Sequence, residues 1–293
     1  MCFRFGPQAV VRGARSNHGF VAFCPCFKTY AGTELMIARR FILGVAAAVG
    51  LQMCNQSAEA AEVKVFTSVA LTAALNELAP VYEKASGDKL TIVYGLAAEM
   101  RKRVLEGETA DVIMITRGMM EELQKQNKLA PNSLVDIVST PVAITARANA
   151  PKPEIGTVEA LKRTLLSAKS IVYADPARGG ASGVAFAHVL DRLGIADQMK
   201  SKTILVPGAQ AAEVVARGEA ELGVAQGSEI VPVAGVQLVG PLPGELASTT
   251  VFSAAIGADT KSMTAAKAFV EFLTSPEASP RFKAKGFEMQ QRR

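Results

Sequence analysis

The amino-acid pattern calls for an α/β protein of two lobes with a cleft between them, on three observations. Short apolar runs alternate with amphipathic helical stretches, the pattern of βαβ units and a parallel sheet. Two long β-rich segments, residues 134–146 and 247–256, interrupt that alternation without helical punctuation. The 293 residues are enough for one large or two medium domains, at about 100–200 residues per domain.

The elements read off in order. Val63 to Phe66 is a short apolar strand, and Thr67-Ser68-Val69-Ala70 is a small, polar strand-to-helix turn. Leu71, Ala74, Leu75, Leu78 and Tyr82 repeat at helical spacing, with Gly87-Asp88 as the stop and Pro80 expected to kink the helix. Leu90 to Tyr94 is a second strand, Gly95-Leu96-Ala97-Ala98 a second turn, and Met100, Val104 and Leu105 mark a second helix. A third strand from Asp111 to Ile115 leads to a helix over residues 118–125. After the first β-rich segment come a helix over 157–166, a strand over 171–174, a glycine-rich turn over 178–183 and a helix over 182–193 stopped by Gly194. A strand at 204–206, a helix at 209–217 and a buried strand at 222–225 complete this second α/β unit. The second β-rich segment precedes a closing helix over 265–273, with Phe269, Val270 and Leu273 as its apolar stripe. The chain therefore leaves the first lobe near 140 and returns near 240. Lobe one is residues 61–141 with 240–293, and lobe two is residues 142–239.

The N-terminal region reads differently. Met36-Ile-Ala-Arg-Arg is a basic start, 41–51 an apolar run too short to span a membrane, and Ala58-Glu59-Ala60 a small-residue cleavage pattern. Residues 36–60 are thus expected to be a signal peptide, with a periplasmic product starting at Ala61, and residues 1–35 a mis-called or disordered extension. The signal and extension hold six Lys/Arg against two acids, leaving 26 against 25 beyond residue 60. Basicity therefore gives no footprint for nucleic acid. All four cysteines (Cys2, Cys24, Cys26, Cys54) precede residue 60, and His188 is the single histidine after it. A disulfide, a thiol nucleophile and a Cys- or His-rich metal site are excluded for the mature segment, and no Ser-His-Asp arrangement can be argued from its one histidine.

Five fragments in order carry a family resemblance. They are residues 65–78 (VFTSVALTAALNEL), Ala110-Asp111-Val112, residues 217–223 (RGEAELG), residues 268–277 (AFVEFLTSPE) and Gly286-Phe287. Together they resemble the periplasmic substrate-binding proteins of ABC importers, specifically the molybdate-binding type. The resemblance implies the type II periplasmic-binding-protein fold, capture of a small anion (oxyanion or carboxylate) and delivery to an ABC transporter permease. It implies a monomer without catalysis, cofactor or metal.

Members of that family hold their oxyanion with serine hydroxyls and backbone N–H groups on two turns, often with a tyrosine from the other lobe. This chain departs at those points: Ala70 stands where a serine is usual, Gly95-Leu96-Ala97-Ala98 replaces a Gly-Gly-Ser-Ser pattern, and Gln226 stands at the tyrosine position. Each missing buried donor costs about 0.5–1.5 kcal/mol, more against an anion. Arginines beside turns suggest a carboxylate in place of a metal oxyanion, because the guanidinium fork matches a carboxylate and glycine turns before helices present free N–H groups. The candidate ligand-binding residues are Ser68, Val69, Ala70, Gly95, Leu96, Ala97, Thr116 and Arg117 from one lobe. From the other they are Arg178, Ser182, Gln210 and Gln226. Two alternatives stay open. One is a molybdate binder using a variant pocket. The other is an enzyme like the aconitate isomerases, relatives that move a proton on a tricarboxylate; it would need a general base, for which Glu99 is the candidate.

Overall fold

The computed structural model of the protein describes residues 60–290. The expected extension and signal segment, with all four cysteines, lie outside the described residues.

Strand β1 (Glu62–Ser68) ends at Ser68, whose Oγ accepts the Ala70 N–H at 3.4 Å and caps a single 3₁₀ turn, Val69–Leu71. Helix α1 (Thr72–Ser86) buries Ala74, Leu75, Leu78 and Tyr82, and stops at Gly87, which takes a left-handed φ of 83°. The expected disruption at Pro80 does not break the helix. Pro80 and Asn76 lie on its exposed face, so the Asn76 carbonyl that loses its partner faces water. Next come β2 (Lys89–Gly95), α2 (Ala97–Leu105), β3 (Val112–Thr116) and α3 (Arg117–Lys125). The third strand begins one residue later than its pattern suggests, because Asp111 turns its carboxylate to the Lys64 N–H at 2.8 Å and the Thr260 hydroxyl at 2.6 Å.

The long strand β4 (Val135–Arg147) leads to α4 (Val158–Ser167), β5 (Ile171–Ala174), a 3₁₀ turn at Pro176–Arg178 and α5 (Ala181–Leu193). The short α6 (Ala196–Met199) precedes β6 (Thr203–Val206), α7 (Ala211–Ala216), β7 (Leu222–Gln226) and α8 (Gly227–Ile230). The chain closes with β8 (Val236–Pro241), β9 (Thr249–Ile256), α9 (Met263–Leu273), α10 (Ser279–Ala284) and β10 (Glu288–Met289). The sequence pattern misses β8, β10 and the short helices, which are too brief to show a period.

The strand order is β2-β1-β3-β9-β4-β7-β5-β6, with β8 and β10 also paired to β4. The βαβ expectation holds for β1 with β2 and β3, and for β5 with β6 and β7, all parallel. The β-rich segments are the antiparallel members. β4 pairs with β9 over Val135 to Pro141 and with β7 over Val142 to Ala146. One pair of buried clusters, around Leu75 and Phe269 and around Phe66 and Ile113, draws on residues 63–138 and 252–287. The other pair, around Phe186 and Leu222 and around Val172 and Val215, draws on residues 142–246.

Close backbone approaches set how the helices meet the sheet. A Cβ on Gly183, in the first turn of α5, would lie 1.9 Å from the carbonyl oxygen of Ala174 at the end of β5. Neither atom belongs to a side chain that could swing away. Gly183→Ala is therefore expected to destabilise the protein by about 1–3 kcal/mol, read as a lowered Tm. Gly118→Ala in α3, where an added Cβ meets nothing within 4 Å, is expected to hold or raise the Tm.

Candidate functional site

Five turns from distant parts of the sequence converge on one small pocket. Its wall is Ser68 to Ala70 after β1, Leu96 and Ala97 at the start of α2, Gly180 to Ser182 at the start of α5, and Gly208 and Ala209 before α7. Ala174, Gln226, Glu229 and Phe252 complete it.

The pocket is rich in unspent donors. In α2 the first intrahelical bond is Met100 N–H to the Leu96 carbonyl at 2.9 Å, and in α5 it is Val184 N–H to the Gly180 carbonyl at 3.0 Å. The N–H groups before them, from Ala97 and from Ala181 and Ser182, have no intrahelical acceptor. No side chain caps either helix. Ser182 is 4% exposed, lines the pocket and makes no side-chain hydrogen bond among the described residues. Ser68, also buried, accepts from Ala70 and keeps its own hydroxyl proton free to donate. Helix starts, free N–H groups and two hydroxyls together make a donor-rich surface of the kind that suits an anion. No lysine or arginine lines it.

One acidic residue does. Glu229 lies in the four-residue α8, and its Oε2 accepts the Gln226 N–H at 3.1 Å, one arm of a capping box. Burial pushes the Glu229 carboxyl up to about 7; the nearby Glu213 carboxylate adds to the rise, and the Gln226 N–H bond opposes it. The segment is held firmly. Gln226 Nε2 donates to Thr250 Oγ1 at 2.8 Å, the Ser228 N–H donates to Thr140 Oγ1 at 3.1 Å, and that hydroxyl donates to the Gly286 carbonyl at 3.1 Å.

Of the residues expected from the sequence, Ser68, Val69, Ala70, Leu96, Ala97, Ser182 and Gln226 meet at this pocket. Arg117 does not. Its guanidinium pairs with Glu121 and Asp136, each at 2.8 Å, and it lines a separate groove between α3, residues 130–136 and α9. Arg178 is exposed, with Nε donating to the Pro207 carbonyl at 3.2 Å. Thr116 is opposite Phe252 in the sheet register but stays outside the lining. Gly95 is buried beneath the first turn of α2, where a Cβ would meet Met100 Cε at 2.4 Å. Gln210 is exposed at the start of α7, and Glu99 is exposed on α2, outside the pocket. The arginine argument for a carboxylate thus loses both its residues. Sequence reasoning missed Glu229 and Phe252. A glutamate three residues after a strand-ending Gln226 has capping-box spacing, a signal that could have placed Glu229 at a helix start.

With this geometry in hand, comparison with known proteins gives the class. The profile of bacterial extracellular solute-binding proteins matches residues 63–288. An aconitate isomerase of a Pseudomonas species is 32% identical over 230 residues, covering 76% of this chain and 86% of that protein. A molybdate-binding protein of Azotobacter vinelandii is 30% identical over 256 residues, covering 85% of this chain and 97% of that protein. Among solved structures, the periplasmic molybdate-binding protein of A. vinelandii superposes with a TM-score of 0.66 at 22% identity, over 78% of this chain and 100% of that one. The sulfate-binding protein of Mycobacterium tuberculosis gives 0.63 at 18% identity, over 78% and 86%. The chain belongs to the bacterial extracellular solute-binding proteins, the substrate-binding family of ABC importers, and has the α/β fold of periplasmic binding proteins. Among the described residues no helix is long and apolar enough to cross a membrane.

The raised Glu229 carboxyl makes a signed prediction. Its folded value near 7 lies above the ordinary carboxylate value, so ionising it costs folded-state stability. The cost is absent below about pH 4, where the folded and unfolded forms are both protonated, and complete above pH 7. Glu229→Gln keeps an acceptor for the Gln226 N–H and removes the charge. Thermal melts are expected to show the variant gaining on the native protein at pH 8 and losing that gain at pH 4.

Proposed function

We propose that this protein is the exported, periplasmic receptor of an ABC importer and that its cargo is a small organic carboxylate. In this reading residues 61–141 with 240–293 form one lobe and residues 142–239 the other. The anion is enclosed between them and handed to a membrane permease. The observation that carries the reading is the pocket itself: uncapped starts of α2 and α5 and the free hydroxyls of Ser68 and Ser182 face one small space. The N–H donors among them are fixed by the backbone and lose no rotamer freedom on binding. Ala70 and Ala97 offer no hydroxyl to complete a tetrahedral shell, and Gln226 is tied to Thr250. A planar carboxylate needs fewer donors around it than a tetrahedral oxyanion. When ionised, Glu229 favours cargo that donates a hydrogen bond at one point of an otherwise donor-rich wall.

A second reading, an isomerase acting on an unsaturated tricarboxylate, is favoured by the same Glu229. A carboxyl near 7 in the ligand pocket is suited to take a proton from carbon and return it. The relative that is 32% identical is an aconitate isomerase. Proton NMR of cis- and trans-aconitate with the mature protein in D₂O separates the two readings. Interconversion with deuterium uptake, lost in Glu229→Gln, supports the enzyme; binding without turnover supports the receptor.

Calorimetric titration of the mature protein with citrate, malate, aconitate, molybdate and sulfate tests the cargo. A carboxylate is expected to bind and the metal oxyanion to be weak. Ser68→Ala and Ser182→Ala are each expected to weaken binding by about 0.5–1.5 kcal/mol, roughly twofold to tenfold in Kd. Arg117→Ala, outside the pocket, is expected to leave it unchanged. Molybdate bound more tightly than every carboxylate would refute the cargo assignment.

A further inference from the structure

We infer that Glu229 takes up a proton when the anion binds, and that its neutral carboxyl then donates a hydrogen bond to the ligand, making it the specificity-determining residue of the pocket. The inference rests on the reading of the pocket as an anion site and deepens it.

Three observations combine. Glu229 lines the same small pocket as Ser68 and Ser182, so an anion held by those hydroxyls lies beside its carboxyl. No basic side chain lines that space to neutralise two negative charges together. The carboxyl is already held close to its protonation point before any anion enters. An anion arriving next to it disfavours the charged form further, just as two carboxylates sharing a site hold one proton between them.

The surroundings leave little else to absorb the charge. α8 packs against β4, β7, β8 and the Val69–Leu71 turn. β7, β8 and that turn carry no ionisable side chain. β4 carries Asp136, paired with Arg117, and Arg147 at its far end, which lies against Gly218. α7 brings Glu213, an acid, which opposes ionisation of Glu229. The one ionisable neighbour that acts on Glu229, Glu213, therefore favours the proton, while the Gln226 N–H opposes it.

The chemistry of selection follows. In the neutral state Glu229 keeps its acceptor for the Gln226 N–H and gains one O–H donor, which joins those of the helix starts and the two serines. In the ionised state it presents an acceptor and a negative charge to the ligand. Fully ionised anions are accepted only with the proton, and their affinity falls as pH rises above 7. An anion that carries its own proton can instead donate to the ionised carboxylate.

The test is isothermal calorimetry of the mature protein at pH 8 in HEPES and in Tris, whose ionisation heats differ, with citrate, trans-aconitate and molybdate as probes. About one proton taken up per anion bound is expected, with Kd rising up to tenfold per pH unit between pH 7.5 and 9. Glu229→Gln is expected to bind the same probe with no proton uptake and a flat pH profile. A purely structural Glu229 would alter the Tm of the variant and leave proton uptake in place, and that result overturns the inference. So does binding of the native protein without proton uptake. Molybdate binding with proton uptake, and no carboxylate binding, would sustain the role of Glu229 while sinking the carboxylate assignment. Failure of every probe to bind would sink both.

Discussion

The geometry of the pocket hangs on one strand. β4 is 13 residues long and is hydrogen-bonded to β9 along its first half and to β7 and β8 along its second. Its register places Phe252 opposite Val138 and Gln226 opposite Val142, so two pocket residues from distant sequence are spaced by four residues of a single backbone. Between them Thr140 bridges the Ser228 N–H and the Gly286 carbonyl and anchors the short helix that carries Glu229. A buried ladder cannot slip by one residue without turning every side chain to the opposite face. The positions of Phe252, Gln226 and Glu229 are thereby coupled to one register.

The pocket wall holds helix-start N–H groups and hydroxyls but no lysine or arginine. The arginine nearest to the expected role, Arg117, already has two carboxylate partners, Glu121 and Asp136. Moving it into the pocket would break both pairs. Helix-start N–H groups are a different resource: the backbone has already placed them, and in a small, enclosed space their partial charge is poorly screened. An acid in the wall, at first sight a defect in an anion site, becomes a donor once it holds a proton.

Close approach by small residues makes the pocket compact. Gly183 lets α5 come down on the end of β5, which brings the uncapped start of α5 to the pocket. Gly179, at a left-handed φ of 76°, presses its turn against Ala98 at the start of α2; a Cβ there would sit 2.5 Å from the Ala98 Cβ. Alanine at 98 thus has a packing role that its place in a ligand turn does not suggest. A longer side chain would hold the two turns apart.

The order of strands and helices, the parallel βαβ units, the two β-rich segments and the family resemblance were all legible in the sequence, because each rests on local periodicity or on motifs read along the chain. So were seven of the pocket residues, since turns between a strand and the next helix gather free N–H groups wherever the fold places them. Which arginines would face the ligand was not legible. Arg117 and Arg178 each follow a strand, as a ligand residue would, but their direction depends on partners 19 and 29 residues away, Asp136 and the Pro207 carbonyl. Glu229 was hidden for the same reason. Its protonation state is set by burial and by Glu213 on another helix, quantities that exist only once β4 and β7 have paired and brought those helices together. The chain alone determined which turns could hold an anion, because free helix-start donors are a local property; tertiary packing decided which side chains joined them, because direction and burial are not.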